Sequence, residues 1–266
     1  MVIRKEQAMN KNELISLFHK ELRHDAQTQG YIREETEYVV RHISEFGEKG
    51  YITSSNLNED NAREIIMNEI DYFSNRGQEF EWKVYSYDKP DHLKDILEQE
   101  GFTIDPPEAL MFMKLANTHP LLTNSQLLNV KEITDERGIQ DIVALEDTVW
   151  NESHAELGER LWRDKQNNPD SLFLYGIYED DLLVSAAWMY LETNSSFASL
   201  WGGSTLPSFR RRGYYTKLLT IRAQKAYEKG HPFLTVDAGP MSRPILEKCG
   251  FICLAYSYGC QSPTTK

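Results

Sequence analysis

The chain has 266 residues, of which 40% are hydrophobic and 26% charged, and it carries a formal net charge of −12 at neutral pH. That length sits near the upper end for one ordinary core, so two domains are expected. No apolar run is long enough to span a bilayer, and the acidic balance weighs against general nucleic-acid affinity, which relies on an electropositive surface.

In chain order, residues Lys11 to Glu21 and Arg33 to Ser44 read as helices, and Asp60 to Tyr72 as a third that ends near Gly77. Phe80-Glu81-Trp82-Lys83-Val84-Tyr85 reads as a strand, and a short helix follows that closes in Gly101-Phe102. The polar run Ala116 to Gln126 is the natural linker. This puts the domains at 1–118 and 128–266 with 119–127 between them. Beyond the linker, Lys131-Glu132-Ile133 reads as a strand, and Thr134 is placed to cap a helix carrying Ile139, Ile142 and Val143. A further helix covers Ala155 to Lys165. Leu172 to Tyr178 and Leu182 to Tyr190 form a hairpin across the acidic turn Glu179-Asp180-Asp181.

The strand Phe197 to Leu206 contains Gly202-Gly203, a pair that signals a bulge or a ligand lying against main chain. It runs into Arg210-Arg211-Arg212-Gly213, and a helix begins at once, with Leu219, Ala223 and Ala226 at helical spacing and Gly230 as its terminal cap. Amide groups at a helix start, the helix dipole and fixed arginine charge together make an anion site, and Gly213 lets the backbone approach closely. Phe233 to Val236 is another buried strand.

Arg210-Arg211-Arg212-Gly213-Tyr214-Tyr215 resembles the acyl-CoA pyrophosphate loop of the GCN5-related N-acetyltransferase superfamily, written Arg/Gln-x-x-Gly-x-Gly/Ala. Tyr215 departs from the small residue usual in last place. Ser242-Arg243-Pro244-Ile245-Leu246-Glu247-Lys248-Cys249-Gly250-Phe251 is similar to the superfamily's second landmark, a short helix closing in Gly-Phe. Ile96 to Phe102 agrees with Ile245 to Phe251 at five of seven positions, so the first half reads as a degenerate copy of the same fold. It lacks the arginine loop, and no cofactor is expected there. The resemblance implies an α/β (α+β) fold, a mixed central sheet of acyl-CoA N-acyltransferase type flanked by helices, in two tandem domains.

It also implies acetyl-CoA as cofactor and transfer of its acetyl group to a primary amine. Main chain at Gly203, Thr205 and Leu206 would bond the pantetheine arm and thioester. Arg211, Arg212, Gly213, Tyr214, Tyr215 and Thr216 would hold the pyrophosphate, with Arg210 adding charge. Ser242 either touches the pantetheine or merely caps its helix. Leu246 stands where many relatives carry a tyrosine acid, so either Tyr256 or Tyr258 on the last strand takes that role, with aromatic packing as the other reading of each, or the CoA thiolate leaves without a dedicated acid. Asp237 is the first choice of general base, though a turn aspartate is its other reading; Glu152, His154 and Glu156 are alternatives. The acceptor is a small molecule or peptide amine, for which the acidic balance is suited.

Cys249, Cys253 and Cys260 are odd in number and lack zinc-like spacing, so no metal site is expected. Met1-Val2-Ile3-Arg4-Lys5-Glu6 lacks the apolar block of a secretory signal, and the expectation is a reduced, cytoplasmic protein. Two other classes remain open: a non-catalytic acyl-CoA sensor, and a nucleotide binder. The second lacks both glycine-rich nucleotide signatures.

Overall fold

A computed structural model describes residues 9–123 and 129–264. The opening run Met1 to Glu6 and, within the linker, Asn124, Ser125, Gln126 and Leu127 lie outside the described residues. The chain divides into two compact units. One holds residues up to Met111, with Asp237–Pro240 and residues from Cys253 onward; the other holds Phe112–Val236 with Met241–Ile252.

The first unit opens with helix α1 (Lys11–His19), whose Asn10 side chain accepts from Asn12 and Glu13 amides while Glu13 caps Asn10 in return. A π-helical turn, Lys20–His24, continues it and turns Arg23 inward. Arg33 to Ser44 is not a helix, contrary to the sequence expectation: Tyr31–Glu35 is strand β1 and Val39–Ser44 strand β2, paired antiparallel. The cause lies at Thr36, whose hydroxyl accepts the Tyr38 and Val39 amides, while its own amide donates to the Val39 carbonyl. That local bonding closes a turn, and β-branched Val39, Val40 and Ile43 then pack as buried strand residues. Strand β3 (Gly50–Ser55), helix α2 (Ala62–Ser74), strand β4 (Phe80–Tyr85), helix α3 (Leu93–Gln99), the short β5 (Thr103–Ile104) and β6 (Glu108–Lys114) follow.

The second unit takes up the chain within β6, from Phe112. Its elements are the turn α4 (Pro120–Thr123), β7 (Val130–Ile133), α5 (Glu136–Trp150), α6 (Ala155–Asn167), β8 (Leu172–Glu179), β9 (Leu182–Leu191) and β10 (Phe197–Thr205). Then come α7 (Tyr214–Glu228), β11 (Phe233–Ala238), α8 (Arg243–Lys248) and finally β12 (Ile252–Gln261). The cap of α5 is Asp135 rather than the expected Thr134: Asp135 is extended, and its carboxylate accepts the Gly138 amide at 2.8 Å.

In the first unit the strand order is β1-β2-β3-β4-β12, with β5 also on β12. The late strand β12 lies antiparallel to β4, Ser257 opposite Tyr85 and Gln261 opposite Glu81. Trp82, Ile52, Ile66, Phe73 and Leu97 fill its core. In the second unit the order is β11-β10-β9-β8-β7. There Ile139, Ile142 and Leu145 of α5 pack with Leu161, Leu174, Ala186 and Trp188. Each unit contains a strand, a helix, a parallel strand and a short helix: β3-α2-β4-α3 in the first and β10-α7-β11-α8 in the second. Both short helices end alike. Gly101 and Gly250 take φ of 92° and 98°, and Phe102 and Phe251 donate to the carbonyls of Leu97 and Leu246.

Candidate functional site

The arginine loop folds as a tight bend. After β10, a 3-10 turn at Pro207–Phe209 leads to Arg210, Arg211 at φ 66° and Gly213 at φ 80°, where α7 begins. Gly213 makes no side-chain cap, so the first amides of α7 are left for another acceptor. A Cβ on Gly213 would meet nothing within 4 Å. The cradle is therefore open, and Arg210, Arg211 and Arg212 are all exposed around it. Arg210 Nε donates to the Thr205 carbonyl at 3.2 Å and Arg212 to that of Ser208 at 3.3 Å, which braces the bend. These residues fit a diphosphate: amides, helix dipole and fixed cations converge on open space.

Tyr214 is buried and its hydroxyl donates to Glu179. Tyr215, the departure from the small-residue pattern, lays its ring against Gly203; a Cβ at Gly203 would stand 2.8 Å from that ring, and Gly203 has φ 100°. The large residue on the helix is thus matched by an absent side chain on the strand. Thr216 accepts the Thr220 hydroxyl through its carbonyl. Thr205 shares a hydroxyl bond of 2.8 Å with Ser185, and Leu206 donates its amide to Val184. Ser242 precedes α8 as its N-cap without a side-chain cap bond. Leu246 is fully buried.

The strands beside this bend part company early. β10 and β11 pair at Phe197–Ser199 with Phe233–Thr235, and among the described residues the register goes no further, although β10 runs on to Thr205. Beyond that point β10 slips register against β9 between Gly202 and Ser204, as the glycine pair suggested. Arg222 of α7, itself buried, clamps the slip by donating to the Trp188 carbonyl at 3.1 Å and the Trp201 carbonyl at 3.2 Å. Burial pulls the Arg222 pKa down to about 10, still charged at neutrality.

The bulge also sets which side chains share a face. Trp201 lies opposite Trp188 and Ser204 opposite Ala186, and both β9 residues belong to the core beneath α5. Trp201 and Ser204 therefore stand on the α5 side of the sheet. There the Ser204 hydroxyl donates to Glu146 Oε2 at 2.7 Å, and the Trp150 indole donates to the same oxygen at 2.8 Å. Glu146 is 3% exposed, and its other oxygen, Oε1, is buried with no hydrogen-bond partner. Burial pushes the Glu146 carboxyl above the usual range, against the opposing effect of the Ser204 and Trp150 bonds. Sequence reading passed over Glu146. Its signal was a charge in the stripe Ile139, Ile142, Glu146, Val149, where helical spacing calls for an apolar residue.

The two residues expected to do acid–base work fall in the first unit. Asp237, near the end of β11, has Oδ2 3.1 Å from Lys83 Nζ, and its Oδ1 is buried without a partner. Burial alone would lower the Lys83 pKa, but Asp237, Glu81 and Glu108 outweigh it and the net shift is upward. Tyr256 on β12 is 42% exposed and bonds through its main chain to Ser86. Of the alternatives, His154 takes its backbone and ring bonds to Asp147, next to Glu146 in α5. Cys249, Cys253 and Cys260 are unpaired thiols. Among the described residues no helix is long and apolar enough to cross a membrane.

Comparison with known proteins agrees with this architecture. A GCN5-related N-acetyltransferase from Kribbella flavida matches with a TM-score of 0.68 and 16% identity over 96% of this chain and 97% of its own. A tandem GNAT protein from the clavulanic acid biosynthesis pathway matches with a TM-score of 0.58 and 10% identity, over 90% of this chain and 85% of its own. A GCN5-related N-acetyltransferase from Sphaerobacter thermophilus gives a TM-score of 0.57 and 11% identity, over 85% of this chain and 76% of its own. At such identities the likeness is one of fold. No curated protein matches the sequence. The acetyltransferase (GNAT) family model matches residues 139–251, which span the α5 carboxylate, the arginine bend and the closing Gly-Phe. Residues 139–251 are a domain of the acetyltransferase (GNAT) family.

Proposed function

We propose that the protein is an acetyl-CoA-dependent N-acetyltransferase whose second unit binds the donor and carries the reaction, while the first unit is a degenerate copy without a donor site. The observation that carries this reading is the open bend at Gly213, ringed by exposed arginines at the start of α7. Acetyl-CoA, when bound, supplies the acyl group as a thioester. In this reading the first amides of α7 and Arg210, Arg211 and Arg212 hold its diphosphate. On the β11 side, where the described register ends at Ser199, β10 and the residue after it offer main-chain groups at Gly203, Thr205 and Leu206 to the arm that follows. Ser242 lies on the same unit and is assigned to that arm.

A neutral amine nitrogen forms the new C–N bond as the C–S bond breaks and the thiolate leaves. The nitrogen must shed a proton, and Glu146 is the carboxylate best suited to take it. It is buried and its Oε1 is unpartnered, while Oε2 is fixed by Ser204 and Trp150. A raised carboxyl pKa brings a base closer to the working pH, where general-base catalysis is most effective. Asp237, tied to Lys83, and Tyr256 belong to the first unit, and this reading gives them no step.

Calorimetry with acetyl-CoA, paired with thiol release in the presence of amines, tests the reading. Binding and amine-dependent release are expected; absence of binding overturns it. Fully buried Leu246, in the place of a tyrosine acid, favours one other reading, a non-catalytic acyl-CoA sensor. Tight binding without release for any amine would select it.

A further inference from the structure

We infer that the acceptor is a small primary amine with a single positive charge on a flat, apolar or aromatic body, bound on the α5 face of β10 between Glu146 and Trp201. The inference rests on the acetyltransferase reading and adds the class of acceptor.

The charged end is set by Glu146. Its carboxylate is buried and one oxygen already accepts two hydrogen bonds, leaving Oε1 alone without a donor. Leaving a buried carboxylate oxygen bare is costly, so an ammonium group from a ligand is the partner it lacks. One free oxygen serves one cationic head. A polyamine or a basic peptide would need further carboxylates for its other charges. The adjacent residue of α5, Asp147, is engaged by the His154 ring and backbone.

The apolar end is set by two tryptophans. Trp201 and Trp150 are 54% and 55% exposed, a large fraction for indoles on a folded domain. Trp150 is joined to Glu146 through its indole N–H, so its position is fixed relative to the carboxylate. The Trp201 main chain is held as well: the register slip puts it on the Ser204 side, about 7 Å along the strand, and Arg222 donates to its carbonyl from the other face. An anchored carboxylate flanked by exposed indole faces matches a cation whose remaining surface is flat and apolar, because aromatic faces attract both ammonium and ring edges.

The test compares 2-phenylethylamine with spermidine and Nα-acetyl-lysine amide as acceptors for the full chain with acetyl-CoA, alongside tryptophan fluorescence on adding each amine alone. The arylalkylamine is expected to give the highest kcat/KM, by about tenfold or more, and to quench fluorescence without acetyl-CoA. Trp201→Ala should raise the amine KM by about tenfold and leave the acetyl-CoA affinity intact, and Trp201→Phe should recover most of the loss. Glu146→Gln should abolish amine quenching in a protein whose acetyl-CoA affinity confirms that it is folded. Preference for spermidine or the lysine amide, or an unchanged amine KM in Trp201→Ala, overturns the inference while leaving the acetyltransferase reading in place. Failure to bind acetyl-CoA removes that reading, and failure of the amine to quench fluorescence independently removes this one.

Discussion

Ser204 and Glu146 hold each other: the strand hydroxyl, placed by the bulge, donates at 2.7 Å to a carboxylate projecting from the middle of α5. A buried carboxylate in an otherwise apolar stripe costs stability, and the two donors on Oε2 offset only part of that. The residue therefore makes opposite demands on folding and on chemistry.

Replacing Glu146 with Gln separates the two. Amine-dependent turnover should fall by about 10²- to 10⁴-fold, the usual share of a general base, with acetyl-CoA affinity unchanged. Stability should move the other way. Burial raises the folded-state pKa of Glu146, so its favourable contribution is complete at acidic pH and is lost as pH rises through the raised value. The Gln variant should gain on the wild type as pH climbs from 5 to 8 (our chosen assay points, spanning roughly the window above an ordinary carboxylate). Urea midpoints at the two ends check this; a constant difference would count against an ionised Glu146.

Gly213→Val probes the open bend. No atom lies within 4 Å of its added Cβ, yet φ is 80°, a region costly for a β-branched residue. The damage should be to the backbone of the bend. A loss of about 1–2 kcal/mol in stability and at least tenfold in acetyl-CoA affinity is expected from calorimetry and urea titration.

Gly203 and Tyr215 form a matched pair, and a double-mutant cycle measures it. Gly203→Ala should destabilise through both the φ of 100° and the ring 2.8 Å away; Tyr215→Ala removes the second cause only. The double variant should be more stable than the sum of the singles by about 0.5–2 kcal/mol. Strict additivity would mean that the ring simply moves aside.

In the first unit, Arg23 grips Asp88 with two bonds of 2.6 and 2.8 Å and reaches the Thr53 carbonyl at 2.7 Å. Both side chains are buried. Removing one partner strands the other's charge, so Asp88→Asn should cost about 3–5 kcal/mol, whereas replacing both by apolar residues should cost less. Chemical denaturation of the single and double variants decides between these outcomes.

What was legible in the sequence follows physical range. The arginine bend, the glycine pair and the closing Gly250-Phe251 were readable because each is specified by a few consecutive residues. The hairpin at Val39 was misread because a Thr36 hydroxyl bond, worth little alone, decided between helix and turn. The cap of α5 slipped one place, from Thr134 to Asp135, since both residue types cap well. Glu146 was missed because its meaning depends on Ser204, 58 positions away. The pairing of β12 with β4 has no local signature, as any apolar strand suits a buried neighbour.

That pairing carries a consequence for how the molecule comes into being. Ribosomes deliver β4 long before residues 253–261, yet Val84 and Trp82 find their antiparallel partners only in Tyr258 and Cys260. During synthesis the first unit must wait with a bare sheet edge, a template for mispairing. Expressing the amino-terminal half by itself should yield an aggregation-prone fragment, and supplying residues 253–261 in trans as a peptide should rescue it.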